Sequence, residues 1–262
     1  MNPLVSESWL RRHLTDPSLR IVDCRYTLGD PHGGRRAYVA GHIPGASFMD
    51  LDRDLAGPPS GARHPLPDPE DFAASARRAG IGDDSLVIAY DQDMTGGAAR
   101  LWWLLRHVGH DRVAVLDGGY AAWSEPVEVG TVRLPLGDLR IRLRAGDTVD
   151  AEELAQGLGR PGLCVVDARV ARRYRGDEEP IDRVAGHIPG AVNLPFTTAF
   201  PPPGELVAAD EVVVYCGSGV TATVVVLALA AAGRNDARLY PGSWSDWVCR
   251  SLPVASGPEA RF

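Results

Sequence analysis

The sequence predicts an α/β protein made of two copies of one domain, each a mostly parallel sheet flanked by helices. Three observations carry this: an internal repeat, short β-branched runs alternating with helical stretches in each half, and runs apolar on both faces. The repeat appears as five blocks in the same order. Leu-Val-Ser-Glu-Ser-Trp-Leu at 4–10 matches Thr-Val-Asp-Ala-Glu-Glu-Leu at 148–154, with Ser6 and Asp150 placed to cap an amphipathic helix. Ile21-Val22-Asp23-Cys24-Arg25 matches Val165-Val166-Asp167-Ala168-Arg169. Gly41-His42-Ile43-Pro44-Gly45-Ala46 recurs letter for letter as Gly186-His187-Ile188-Pro189-Gly190-Ala191. Leu86-Val87-Ile88-Ala89-Tyr90 matches Val212-Val213-Val214-Tyr215, and Gly118-Gly119-Tyr120-Ala121-Ala122-Trp123 matches Gly242-Ser243-Trp244-Ser245-Asp246-Trp247.

These blocks set the expected boundaries: a first domain over 1–123, a linker over 124–147 and a second domain over 148–262. Within the linker, the alternation Arg140-Ile141-Arg142-Leu143-Arg144 reads as a half-buried surface strand. The runs at 113–116 and 212–214 are apolar throughout, as central parallel strands must be. In such sheets, functional groups collect just beyond the carboxyl ends of strands. That directs attention to the residues after Tyr90 and after Tyr215.

Composition narrows the chemistry. The chain is 45% hydrophobic and 23% charged with a formal net charge of −7, which argues for a globular protein without a nucleic-acid partner. All 27 basic residues are arginine, so a lysine Schiff base, a pyridoxal-phosphate anchor and a P-loop lysine are excluded. Residues 1–14 are polar, and the apolar run 220–232 is too short to span a bilayer and reads as a buried helix. No membrane partner is expected. Cys24, Cys164, Cys216 and Cys249 are scattered, without C-x-x-C or metal-ligand spacing, so free thiols in a reducing compartment such as the cytoplasm are expected, with no metal.

The copies diverge where chemistry would be. After Tyr215 comes Cys216-Gly217-Ser218-Gly219-Val220-Thr221; after Tyr90 comes Asp91-Gln92-Asp93-Met94-Thr95-Gly96. A thiol stands where the twin has a carboxylate. Two glycines let the backbone N–H groups curl inward as an anion nest, and the following helix adds its own N-terminal donors. Both would stabilise a thiolate or a persulfide. Cys24, Cys164 and Cys249 lack such a cradle and are expected to serve packing. His42 and His187 occur in both copies, which points to turn structure.

The duplicated Asp-x-Arg and Gly-His-Ile-Pro-Gly-Ala blocks, the 216–222 loop and the closing Tyr240-Pro241-Gly242-Ser243-Trp244-Ser245-Asp246-Trp247 together resemble two-domain rhodaneses over nearly the whole chain. The resemblance implies two tandem rhodanese-like domains, a catalytically silent first copy and a sulfurtransferase activity in the second. Cys-Gly-Ser-Gly-Val-Thr is the loop of the mercaptopyruvate sulfurtransferases, whereas thiosulfate-using rhodaneses carry basic residues after the cysteine. The loop's neutrality therefore favours 3-mercaptopyruvate over thiosulfate as donor, with thiosulfate as the alternative.

The resemblance further implies that Cys216 is the nucleophile and that Gly217, Gly219, Val220 and Thr221 line the donor site. Arg169 and Arg173 align with the subfamily's substrate-binding arginines and would fork onto the donor carboxylate; Arg25, in the silent copy, would serve structure. The first copy carries about twenty extra residues between its Gly-His-Ile-Pro-Gly-Ala block and Tyr90, rich in proline and charge. In the subfamily an Asp and a His of this insert serve the loop serine. By position these are Asp52, His64 and Ser218, with Asp50 a competitor in the same acidic cluster. The implied partners are a small-molecule sulfur donor and a thiol acceptor such as thioredoxin or a low-molecular-weight thiol, or cyanide, and no cofactor is implied. Two other classes are weighed. A phosphatase or arsenate reductase would need an arginine at position 222, which is alanine. A non-catalytic binding module would have no need to keep Cys216 in its glycine cradle.

Overall fold

The computed structural model describes residues 2–258, and in it the β-branched runs form two separate parallel sheets. In the first half the chain runs β1 (Leu4–Val5), α1 (Glu7–His13), β2 (Leu19–Asp23), α2 (Gly33–Ala40), β3 (Ser47–Phe48), α3 (Pro69–Arg78), β4 (Leu86–Tyr90), α4 (Gly97–His107) and β5 (Val113–Leu116), then a 3₁₀ turn at Gly119–Ala122. In the second it runs α5 (Ala151–Gly157), β6 (Leu163–Asp167), α6 (Ala171–Arg175), β7 (Val192–Asn193), α7 (Gly204–Ala208), β8 (Glu211–Tyr215), α8 (Ala222–Ala231), β9 (Arg238–Leu239) and α9 (Ser243–Cys249). The sheet orders are β1-β5-β4-β2-β3 and β7-β6-β8-β9, with every ladder parallel. The second sheet's counterpart of β1 is a single parallel bridge, Thr148 to Leu239.

The expected caps form. Ser6 accepts the N–H of Trp9, and Asp150 accepts the N–H of Glu153. The central strands are buried as read, Val212, Val213, Val214 and Tyr215 among them. The run after position 220 becomes α8, apolar all round and buried along nearly its whole length. No helix among the described residues is long and apolar enough to cross a membrane.

The chain divides into two compact units, Met1–Gly57 with Leu66–Arg144, and Pro58–Pro65 with Ala145–Phe262. Residues 124–144 thus go with the first unit and residues 58–65 with the second, a partition the repeat alone does not show. The expected strand over 140–144 does not form. Leu143 is 55% exposed, while the neighbouring Leu139 is fully buried and anchors the segment. Extended backbone binds piecemeal instead: Arg142 N–H donates to the Val108 carbonyl, Arg144 N–H to that of His107, and the Arg142 side chain pairs with Asp83. With no strand edge beside it, alternation yields side-chain pairing but no ladder.

Candidate active site

The duplicated motifs build one scaffold twice. Register places Asp23 beside Tyr90 and Asp167 beside Tyr215 at the strand ends. Each aspartate holds the arginine two residues on. Arg169 Nε reaches both Asp167 oxygens at 3.1 Å, and its Nη2 donates to Asp167 Oδ2 and to the Gly186 carbonyl, both at 2.6 Å. Arg25 does the same with Asp23 and Gly41, its Nη2 bonds again at 2.6 Å. Arg25 lies over the Tyr120 ring at 4.0 Å, and Arg169 over the Trp244 ring at 4.6 Å. The repeated Gly-His turn is tied down similarly. His42 and His187 each bond through Nδ1 to the carbonyl of Tyr38 or Tyr174 and stack on that ring.

This duplication settles where Arg169 points. Its side chain is 1% exposed and committed to Asp167, Gly186 and Glu179. Against the expectation of a fork onto the donor carboxylate stands what the structure holds: like Arg25, Arg169 braces the strand end against the following turn. The Asp-x-Arg spacing could not show this, because a buried brace and a ligand clamp require the same residue.

The loop after β8 is held from behind by the start of α9. Trp244 N–H donates to the Cys216 carbonyl at 2.9 Å, Ser245 N–H to that of Gly217 at 3.0 Å, and Ser243 Oγ accepts the Cys216 N–H at 3.1 Å. In the first copy Tyr120 and Ala121 hold the carbonyls of Asp91 and Gln92 in the same manner. Cys216 is buried, and its Sγ accepts the N–H of Gly219 at 3.2 Å. Gly219 has φ +78, and a Cβ there would lie 2.4 Å from the Pro241 carbonyl oxygen, so no other residue fits. Val220 is buried, and Thr221 caps α8 through its backbone alone.

Three further side chains converge on this loop. His64 Nδ1 lies 2.8 Å from Ser218 Oγ, which brings together two of the residues expected to act as one. Asp52 belongs to the first unit, exposed on the turn after β3, where its N–H donates to Asp50 Oδ1. Asp50 also accepts the N–H of Arg53, so that carboxylate organises the turn. Arg173 pairs with Glu179 at 2.7 Å and with Asp182 at 3.0 Å, and Arg63 pairs with the same Asp182. A Cβ at Gly217 would lie 2.7 Å from Arg63 Nη2 and 3.3 Å from Arg173 Nη1. The loop itself carries no basic side chain, yet two guanidiniums lie against it.

Sequence reading missed Arg63, Glu179 and Asp182. One signal pointed to them: they have no twin. Tyr38 and Tyr174 correspond, each donating its hydroxyl to an alanine carbonyl, so Ala37 stands where the second copy has Arg173. Among the cysteines, all four are free thiols. Cys24 is buried, and burial pushes its thiol well above the ordinary range, as befits a packing residue. Cys249 is exposed, which corrects the expectation of packing.

The model of the rhodanese-like domain matches residues 6–126 and 150–249. The chain is 44% identical to a probable 3-mercaptopyruvate sulfurtransferase of Pseudomonas aeruginosa, over 97% of this chain and 98% of that protein. It is 41% identical to a putative thiosulfate sulfurtransferase, SseB, of Mycobacterium tuberculosis, over 92% of each. Its fold is similar to the crystal structure of SseA from Escherichia coli, described as a 3-mercaptopyruvate sulfotransferase. That match has a TM-score of 0.82 at 34% identity and covers 93% of this chain and 99% of the other.

Proposed function

The chain belongs to the rhodanese-like domain family, and from that premise we propose that it transfers sulfur from 3-mercaptopyruvate, through a persulfide on Cys216, to a thiol acceptor. The observation that carries this reading is the Cys216 loop, where a buried sulfur already accepts a backbone N–H with two guanidiniums against the next residue. The donor would enter with its carboxylate toward the guanidiniums and its thiol sulfur toward Sγ. Attack by the Cys216 thiolate forms the S–S bond and breaks the donor's C–S bond. The electron pair leaves on carbon as the enolate of pyruvate, which takes up a proton. Ser218 and His64, already hydrogen-bonded, can relay the donor thiol's proton to that carbon. The acceptor thiolate (thioredoxin, or a low-molecular-weight thiol in the cytoplasm) then attacks the outer sulfur and regenerates Cys216. No cofactor takes part in these steps.

The silent copy supports the persulfide. Asp91 follows β4 as Cys216 follows β8, and its carboxylate accepts the N–H groups of Thr95, Gly96 and Ala98 at 3.0, 2.8 and 3.1 Å. A carboxylate oxygen lies two bonds beyond Cβ, as does the outer sulfur of a cysteine persulfide. The corresponding positions in the second copy are Val220, Thr221 and Thr223; the Thr223 N–H donates to the Val220 carbonyl at 3.1 Å, which leaves Val220 and Thr221 as the N–H groups toward which an anion of that reach would extend.

Thiosulfate remains the competing donor, since a pair of guanidiniums can also hold a sulfonate. Steady-state kinetics with both donors and cyanide as acceptor decide between them. The expected result is a kcat/KM for 3-mercaptopyruvate at least about tenfold above that for thiosulfate; the reverse order would overturn the choice of donor.

A further inference from the structure

Arg63 is held against the Cys216 loop at several points within one unit. Its backbone N–H donates to Ser245 Oγ at 3.2 Å, and Ser245 N–H in turn holds the Gly217 carbonyl at 3.0 Å. The next residue, His64, is bonded to Ser218. Its guanidinium pairs with Asp182, which also pairs with Arg173. One carboxylate thus bridges two guanidiniums that would otherwise repel each other. Burial pushes the Asp182 carboxyl up, and Arg63 is the strongest influence holding it down.

The charges are sorted by depth. Asp167, Glu179 and Asp182 have side chains only 0, 4 and 6% exposed, and Arg169 lies as deep at 1%. Arg173 and Arg63 are 14 and 29% exposed. Three cations and three anions balance, but the part that meets solvent beside the loop is cationic. Gly217 completes the arrangement through its missing side chain, since a methyl group there would collide with Arg63 Nη2. The glycine lets guanidinium groups approach the backbone beside the nucleophile.

From this, and resting on the donor reading above, we infer that Arg63 is a specificity-determining residue: with Arg173 it forms a two-armed grip on the donor's carboxylate over Gly217. Two forks suit a planar carboxylate better than one, and Arg169, spent on its buried brace, cannot be the second arm. Asp182 sets the separation of the arms. The grip selects donors by their negative charge and takes no part in the exchange of sulfur.

The test compares wild type, Arg63→Ala and Arg63→Lys with 3-mercaptopyruvate and its uncharged methyl ester, using cyanide as acceptor. Arg63→Ala is expected to raise KM for the acid about ten- to a hundredfold, with kcat and the KM for the ester nearly unchanged. Arg63→Lys should recover only part of the loss, since it keeps the charge without the fork. An equal change for acid and ester, or an unchanged KM for the acid, would overturn the inference. Should the alanine variant not fold, Arg63→Gln provides the same comparison. If wild type uses thiosulfate alone, the donor reading fails while this inference is still decided. A raised thiosulfate KM in Arg63→Ala would sustain an anion grip, and an unchanged one would sink it.

Discussion

In the loop after β4, a carboxylate is fixed by three backbone N–H groups; in the loop after β8, a sulfur takes one. Both turns are held from behind by the same pair of amide-to-carbonyl bonds. Both have a left-handed residue three places on, Met94 at φ 53 and Gly219 at φ 78. The first loop therefore holds a fixed carboxylate in its cradle, where the function proposed above gives the second a transient persulfide. Burial raises the Asp91 carboxyl above the ordinary carboxylate range, while its N–H donors pull it back. What is duplicated holds the fold. What lacks a twin, namely Cys216, Ser218, Arg173 and Arg63, gathers at one loop.

Exchanging the two residues separates the loops by the largest effect. Cys216→Ser should lower sulfur transfer more than about a thousandfold, and adding Asp91→Cys should restore none of it. Recovery in the double variant would mean that the cradle alone suffices, without arginines or the serine–histidine pair.

The next effect separates twins from singletons. Arg25→Met and Arg169→Met each strand a buried aspartate and should each cost about 3–5 kcal/mol in urea unfolding. Arg173→Gln should cost only about 1–2 kcal/mol, since Glu179 and Asp182 keep Arg169 and Arg63. It should nevertheless raise KM for the donor about tenfold. A stability loss for Arg173→Gln matching that of Arg169→Met would blur the distinction.

These residues also show what the sequence could reveal. The repeat, the parallel sheets, the helix caps and the Cys216 loop were legible because each depends on neighbours in sequence or on strict periodicity. The brace that Arg169 forms was legible from Arg25, which holds Asp23 and the Gly41 carbonyl in the first copy. Arg63 was invisible, because its place depends on residues 58–65 packing with the second unit, which no local pattern encodes. Glu179 and Asp182 belong to no repeated block, and only folding brings them to Arg169, Arg173 and Arg63.

A smaller effect concerns the left-handed position. Gly219→Ala should cost about 1–3 kcal/mol from backbone strain, besides its collision with the Pro241 carbonyl. Met94→Gly should change stability by less than about 1 kcal/mol, relief of strain being offset by a freer unfolded chain. Thermal melts of the two variants compare the loops directly.

The mildest prediction concerns pH. Burial lowers the His187 imidazole below its ordinary value. A histidine whose folded pKa is depressed contributes stability above its unfolded pKa and loses it as pH falls through the folded one. His187→Asn, which keeps a donor for the Tyr174 carbonyl, should therefore show less acid destabilisation than wild type in melts below pH ~6.5. Parallel curves would remove His187 from the acid response.

In the proposed reaction the second loop, and not any other thiol, carries the sulfur. Wild-type protein treated with 3-mercaptopyruvate and no acceptor, then mapped by peptide mass spectrometry, tests it most directly. The expected result is one added sulfur atom on the peptide containing Cys216, removed by cyanide and missing in Cys216→Ser. Added sulfur on Cys24, Cys164 or Cys249 with Cys216 unmodified would contradict it.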